Sequence, residues 1–261
     1  MDKSPELTPE NYINRELSWI DFNCRVLAQA HDESIPLLER IKFLAIVSAN
    51  TDEFFMVRVA FVHQKLKLGL TTTRPDGVPY PVLMDEIRQR IVDMMREQRG
   101  LMADLLGRLS QFGVMITTVD SLDSAERQAL RAYFYEEVFP VLTPLAVDHA
   151  HPFPFISNLS LNLAVSLKRK GGSNGDAEFV RLKIPDKMPR LVNVTDIVRK
   201  YGTVEETGGK TLVWLEDMIA HNLDLLFPGM TILDYSPFRV TRNADIDFEH
   251  EQDDPEGDIS M

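Results

Sequence analysis

A chain of 261 residues with 44% apolar side chains is long enough to bury the core of one or two domains. Its net charge of −12 argues against a surface that grips nucleic acid along its whole extent, and no apolar run approaches the ~20 residues needed to cross a bilayer. The opening MDKSPELTPE lacks the basic start and apolar stretch of a signal peptide, so a cytoplasmic location is expected, and a single cysteine, Cys24, excludes a disulfide framework.

Residues 14–112 read as helix almost throughout. Leu17, Ile20, Val26, Leu27 and Ala30 recur near helical spacing in a first segment. A second begins after Ser34 as N-cap, with Pro36 in its first turn and Leu37, Leu38, Ile41, Phe43, Leu44 and Ile46 following. It is apolar on most sides, which predicts a buried helix. Asn50-Thr51-Asp52-Glu53 has the spacing of a cap that restarts a helix through Phe54, Val57, Val59, Phe61 and Leu66. Residues 69–81 carry Pro75, Asp76, Gly77 and Pro79 and read as a loop. A long amphipathic helix over 82–109 shows Ile87, Ile91, Met94, Leu101, Leu105 and Leu109 on one face, completing four helices that can form an antiparallel bundle.

The composition changes after Gly113. A strand is expected over 114–118, then a helix opened by a capping box of Asp123 and Glu126 and running to Phe139. Strands over 159–167 and 178–184 flank the cluster Gly171, Gly172, Ser173, Asn174 and Gly175, the pattern of a hairpin. A helix over 214–227, closed by Pro228-Gly229, and extended segments at 231–235 and 238–241 follow. The fold class is therefore α+β: an N-terminal antiparallel helical bundle over 1–112, then a mixed α/β head domain over 113–261 that ends incomplete in an acidic tail. Asp245, Asp247, Glu249, Glu251, Asp253, Asp254, Glu256 and Asp258 make up that tail, with no Lys or Arg after Arg242. It reads as a solvated segment, since its spacing departs from a calcium loop.

Motifs with dedicated chemistry are few. Gly208-Gly209-Lys210-Thr211 resembles the end of a phosphate-binding loop, but position 204 is Val where that loop needs glycine, and a hairpin turn accounts for the stretch. His149 and His151 alternate in a proline-rich segment, where they can satisfy loop backbone groups or take a metal or a phosphoryl group. His221 falls on a helix surface or boundary. Asn50 is the most informative residue. As a cap its amide accepts a backbone N–H; at the same place, a helix N-terminus with a side chain that both donates and accepts suits the edge of a nucleotide base. Phe54, Phe55 and Arg58 beside it fit core, stacking or phosphate-facing roles alike.

Several long strings resemble the polyphosphate kinase family: Asn14-Arg15-Glu16-Leu17-Ser18-Trp19, then PLLERIKFLAIVSANTDEFFMVRVA, LTPLAVDHAHPFPFISNLSLNLAV, FVRLKIPDKMPRLVNV, LEDMIAHNLDLLFPG and FRVTRNADID. They cover nearly all of residues 12–248. Two departures are Thr51, where the family usually has Leu, and Asn243, where Asp is usual. The resemblance implies a reversible transferase that moves the terminal phosphate of ATP onto inorganic polyphosphate, with Mg²⁺, through a phosphohistidine. It implies ATP-base binding at Asn50, a homo-oligomer, dimer or tetramer, in the intact enzyme, and catalytic and metal-binding residues in C-terminal domains without counterparts in this chain. The 261 residues alone are then expected to be inactive. A second reading is an inactive dimerisation or interaction module derived from that enzyme.

Overall fold

The computed structural model describes residues 8–71, 75–147, 154–170, 177–202 and 209–243, and the chain divides into two compact units, Met1–Ala103 with Thr241–Met261 and Asp104–Val240. The expectations for His149, His151, the 171–175 turn, Gly208 and the acidic stretch from Asp245 fall outside the described residues.

In the first unit, helix α1 (Arg15–His31) begins where Asn14 Oδ1 accepts from the N–H groups of Glu16 and Leu17, both at 3.0 Å. The Asn14 amide in turn donates to Asp76 at 2.9 Å, tying that start to the segment before the last helix. Ile20, Asn23, Leu27 and Ala30 form the buried stripe. Helix α2 (Leu37–Glu53) is preceded by Pro36 as its cap residue, and Ser34 instead donates its N–H to Asp32, so the Ser34 cap is corrected. Buried Arg40 reaches back from α2 to Ala30 O at 2.7 Å, placing a cation on the carbonyl end of α1.

The expected restart at Asn50 does not occur. The Phe54 N–H donates to the carbonyls of Asn50 and Thr51, and a six-residue π-helical stretch (Phe54–Val59) leads straight into α3 (Ala60–Lys67). No Pro or Gly interrupts residues 37–67, so the backbone ladder carries through a cap-like tetrapeptide that nothing forces out of helical geometry. What the sequence divides into two helices is one rod. Nor is α2 buried all round: Leu44, Val47 and Thr51 are inside, while Leu38 is 62% exposed and Ile46 44%. Helix α4 (Tyr80–Arg108) starts two residues before its expected position. It is joined to α1 through Arg90 and Asp21 at 2.9 Å, and to α2 through Gln98, which donates to Leu44 O and Ser48 Oγ.

The second unit bears out the mixed α and β expectation. Strand β1 (Val114–Thr117) is followed by α5 (Ser124–Tyr133), which opens on the expected box: Asp123 accepts from Glu126 N at 2.8 Å and Glu126 from Asp123 N at 2.9 Å. Then come β2 (Pro144–Val147), β3 (Leu161–Arg169), β4 (Glu178–Lys183), β5 (Leu191–Asn193), α6 (Val194–Tyr201), β6 (Lys210–Trp214), α7 (Leu215–His221), α8 (Leu223–Leu226) and β7 (Met230–Arg239). One sheet has the order β2-β4-β3-β7, antiparallel throughout, with the 159–167 and 178–184 segments paired as expected. The edge position of β7 accommodates Pro237, which has no N–H to give, and the two expected extended pieces fuse into one strand.

A second sheet, β1-β6-β5, pairs β1 with β6 in parallel and β5 with β6 antiparallel. Gly209-Lys210-Thr211 is thus the entry to a strand and not a hairpin turn. Gly209 is needed there: its φ is +133, and a Cβ would lie 3.0 Å from Gly113 O, which accepts the Lys210 N–H. The helix expected over 214–227 breaks at Asn222, which donates to Met218 O and accepts from Arg131. The Arg131 guanidinium also bonds Asp224 at 2.6 Å and holds that carboxyl below the usual carboxylate range. The core of this unit joins Leu163, Val165 and Leu167 of β3 to Leu130, Phe134, Val138, Val213 and Ile219.

Candidate functional site

Asn50 lies in the body of α2, half-buried, so neither free helix-end N–H groups nor a helix-terminal charge surround it. Its surroundings are instead side-chain amides and a hydroxyl. Asn50 Nδ2 donates to Asn23 Oδ1 at 3.1 Å. Asn23, fully buried on α1, donates from Nδ2 to Thr51 Oγ1 at 3.2 Å and Val47 O at 3.3 Å, with Met94 Sδ at 3.6 Å. Thr51 donates its hydroxyl to Val47 O at 2.7 Å. A buried amide with its donors and acceptor engaged is a fixed support, because leaving any of them unmade costs about 1–3 kcal/mol.

One turn further on, the three open possibilities for Phe54, Phe55 and Arg58 separate. Phe54 is core, 1% exposed, with its ring stacked on Trp19 at 4.3 Å and 9°. Phe55 projects outward at 37% exposure, edge-on to Phe54, and Arg58 is half-exposed. The π-helical stretch that begins at Phe54 shifts the helical register just beyond Asn50, a distortion frequent at functional sites.

Sequence reasoning found Asn50 and passed over Asn23 and Thr51 as its support. The signal was present for Asn23: it sits three residues after Ile20 and four before Leu27, a polar side chain in the middle of an apolar stripe. In the sequence Thr51 stands out as a departure from the family pattern beside Asn50, and in the structure its hydroxyl links Asn23 to the α2 backbone.

Elsewhere the side chains that could handle phosphate are mostly engaged. In a cavity of about 330 Å³ beside β3, Lys183 pairs with Asp186 at 3.3 Å and Arg190 with Glu216 at 2.6 Å. Among the described residues, no group of three His, Cys, Asp or Glu side chains is placed to hold a metal ion, and no helix is long and apolar enough to cross a membrane. His221 lies 3.5 Å from Asp120 at the end of α7. Partial burial, followed by the Asp21 carboxylate, pushes the Cys24 thiol up, which works against a thiolate nucleophile.

A helical unit followed by a unit of two sheets and helices is an arrangement of elements shared with known proteins. The polyphosphate kinase N-terminal domain model matches residues 12–117 and the polyphosphate kinase middle domain model residues 125–259. The polyphosphate kinase of Mycobacterium tuberculosis (strain H37Rv) is 45% identical over 257 residues, 96% of this chain and 34% of that protein. That of Mycobacterium avium is 46% identical over 252 residues, 95% of this chain and 34% of that protein. The crystal structure of polyphosphate kinase from Porphyromonas gingivalis superposes with a TM-score of 0.75 at 30% identity, covering 90% of this chain and 33% of that one. The chain belongs to the polyphosphate kinase family, and it spans about a third of the length of the curated relatives it matches.

Proposed function

We propose that this chain supplies the nucleotide-base contact of a polyphosphate kinase, with Asn50 as the residue that meets the purine of ATP or ADP. The observation that carries the reading is the Asn50 amide itself: half-exposed, bonded once to a buried partner, and so able to offer its carbonyl oxygen and remaining N–H to a base edge. In the intact enzyme the reaction is reversible transfer of the terminal phosphate of ATP to inorganic polyphosphate by way of a phosphohistidine. Family membership supports that reading, as it supports Mg²⁺ as the ion accompanying the nucleotide and self-association of the intact enzyme. Among the described residues no group of three His, Cys, Asp or Glu side chains gathers to hold that ion.

Phosphoryl transfer depends on cations arranged about the transferring group, and the base contact contributes orientation alone. The 261-residue chain should therefore bind ATP weakly, on the order of 1 mM, and make no long-chain polyphosphate from ATP and Mg²⁺. Calorimetry of the wild type and of Asn50→Ala checks the first statement and gel analysis of the product the second. Tight binding that survives Asn50→Ala, or polyphosphate synthesis by the chain alone, contradicts the reading.

A further inference from the structure

The hydrogen bonds around Asn50 have a direction, and that direction is set by a backbone carbonyl. Val47 O can only accept. It takes the Thr51 hydroxyl hydrogen at 2.7 Å, so Thr51 Oγ1 has only lone pairs left for Asn23. Asn23 must then turn its NH₂ end toward Thr51 Oγ1 and Val47 O, at 3.2 and 3.3 Å, and the third neighbour of that nitrogen, Met94 Sδ, is an acceptor as well. The opposite end of Asn23, Oδ1, faces Asn50 and demands a donor. Asn50 meets it with Nδ2 at 3.1 Å. Each amide in the chain is thereby denied its flipped orientation, because a flip would set oxygen against oxygen or nitrogen against nitrogen inside the helical unit.

We propose that the Val47–Thr51–Asn23 chain fixes the polarity of the Asn50 amide, so that the carbonyl oxygen and one N–H are presented to the base and a 6-aminopurine nucleotide is selected over a 6-oxopurine one. The inference rests on the reading that Asn50 meets the base. An adenine edge offers an amino donor beside a ring-nitrogen acceptor, the complement of a carbonyl beside an N–H. Hypoxanthine in the same pose places a carbonyl oxygen against the Asn50 carbonyl oxygen. A free asparagine would rotate its amide to accommodate either base. Here rotation would break the bond to Asn23 and leave a buried amide oxygen without a partner, so the mismatch cannot be relieved cheaply. Asn23 and Thr51 are positioning residues that act through Asn50.

The test is titration of the 261-residue chain, labelled with ¹⁵N-asparagine, with ATP and with ITP, following the Asn50 side-chain amide signals. Wild type should bind ATP about tenfold or more tightly than ITP, and ATP should shift the Asn50 signals. In Asn23→Leu the ITP-to-ATP ratio of Kd should fall to within about twofold of unity. Thr51→Val, which removes only the hydroxyl link, should lower the ratio by about threefold, and Thr51→Ser should restore it. Should Asn23→Leu fail to fold, the two Thr51 variants decide the matter. A ratio unchanged in every folded variant, while ATP still shifts the Asn50 signals, overturns the polarity inference and leaves the base contact standing. Asn50 signals indifferent to ATP in the wild type overturn the base contact itself, and the inference with it.

Discussion

Phe54→Ala should destabilise the helical unit by about 3–5 kcal/mol, the range for removing a large buried aromatic side chain. The ring is 1% exposed and lies flat on Trp19 at 4.3 Å, so the substitution opens a cavity between the π-helical stretch and α1 and removes a stacking contact worth a further ~1 kcal/mol. Because Phe54 N–H bonds the Asn50 carbonyl, the cavity adjoins the turn that carries the proposed base contact. Urea unfolding measures the loss. Phe55→Ala, at a side chain 37% exposed, should cost less than about 1 kcal/mol in the same experiment. Equal losses at the two positions would contradict the assignment of Phe54 to the core and Phe55 to the surface.

Asn162→Ala should destabilise the second unit by about 2–3 kcal/mol, although the side chain it removes is small and polar. Arg181 on β4 is 7% exposed and donates Nε to Asn162 Oδ1 at 2.7 Å, while Asn162 on β3 is fully buried. Burial lowers the Arg181 pKa, yet a guanidinium keeps its charge at any ordinary pH, so the cost of desolvation must be met by hydrogen bonding. Loss of a bond to a buried charge is worth about 1.5–3 kcal/mol. Arg181→Met, which removes the charge and keeps the volume but leaves the buried Asn162 oxygen without its donor, should cost about 1–3 kcal/mol, and in Arg181→Met the Asn162→Ala change should lose most of its effect. Denaturant midpoints of the two single variants and the double variant check this. Additive losses would show that Asn162 does not serve Arg181.

The long amphipathic stretches were legible because their stripes are local: Ile87, Ile91 and Met94 in α4, or Ile20 and Leu27 in α1, announce a face whatever they pack against. The Asp123–Glu126 box was legible for the same reason, since a cap is written within four residues. Asn50-Thr51-Asp52-Glu53 carries comparable local chemistry and misleads, because caps compete with helix continuation and residues 37–67 contain nothing to stop it. The second sheet escaped for the opposite reason. β6 is defined by parallel pairing with β1, almost a hundred positions earlier in the chain, while its first residues look locally like a turn. Buried Arg40 and Arg181 were out of reach too, as arginine is normally exposed and only tertiary partners such as Ala30 O and Asn162 show otherwise. For the site, the residue type at position 50 was enough to raise a base contact. The direction of its hydrogen bonds needed α1 and α2 to be side by side.

The helical unit as a support for a nucleotide base is tested most directly by a crystal structure of the chain soaked with a non-hydrolysable ATP analogue. The purine edge should lie within about 3 Å of Asn50 Oδ1 or Nδ2, with Asn50 still bonded to Asn23. A base bound away from Asn50, or an Asn50 amide turned so that its oxygen faces Asn23 Oδ1, would contradict the account.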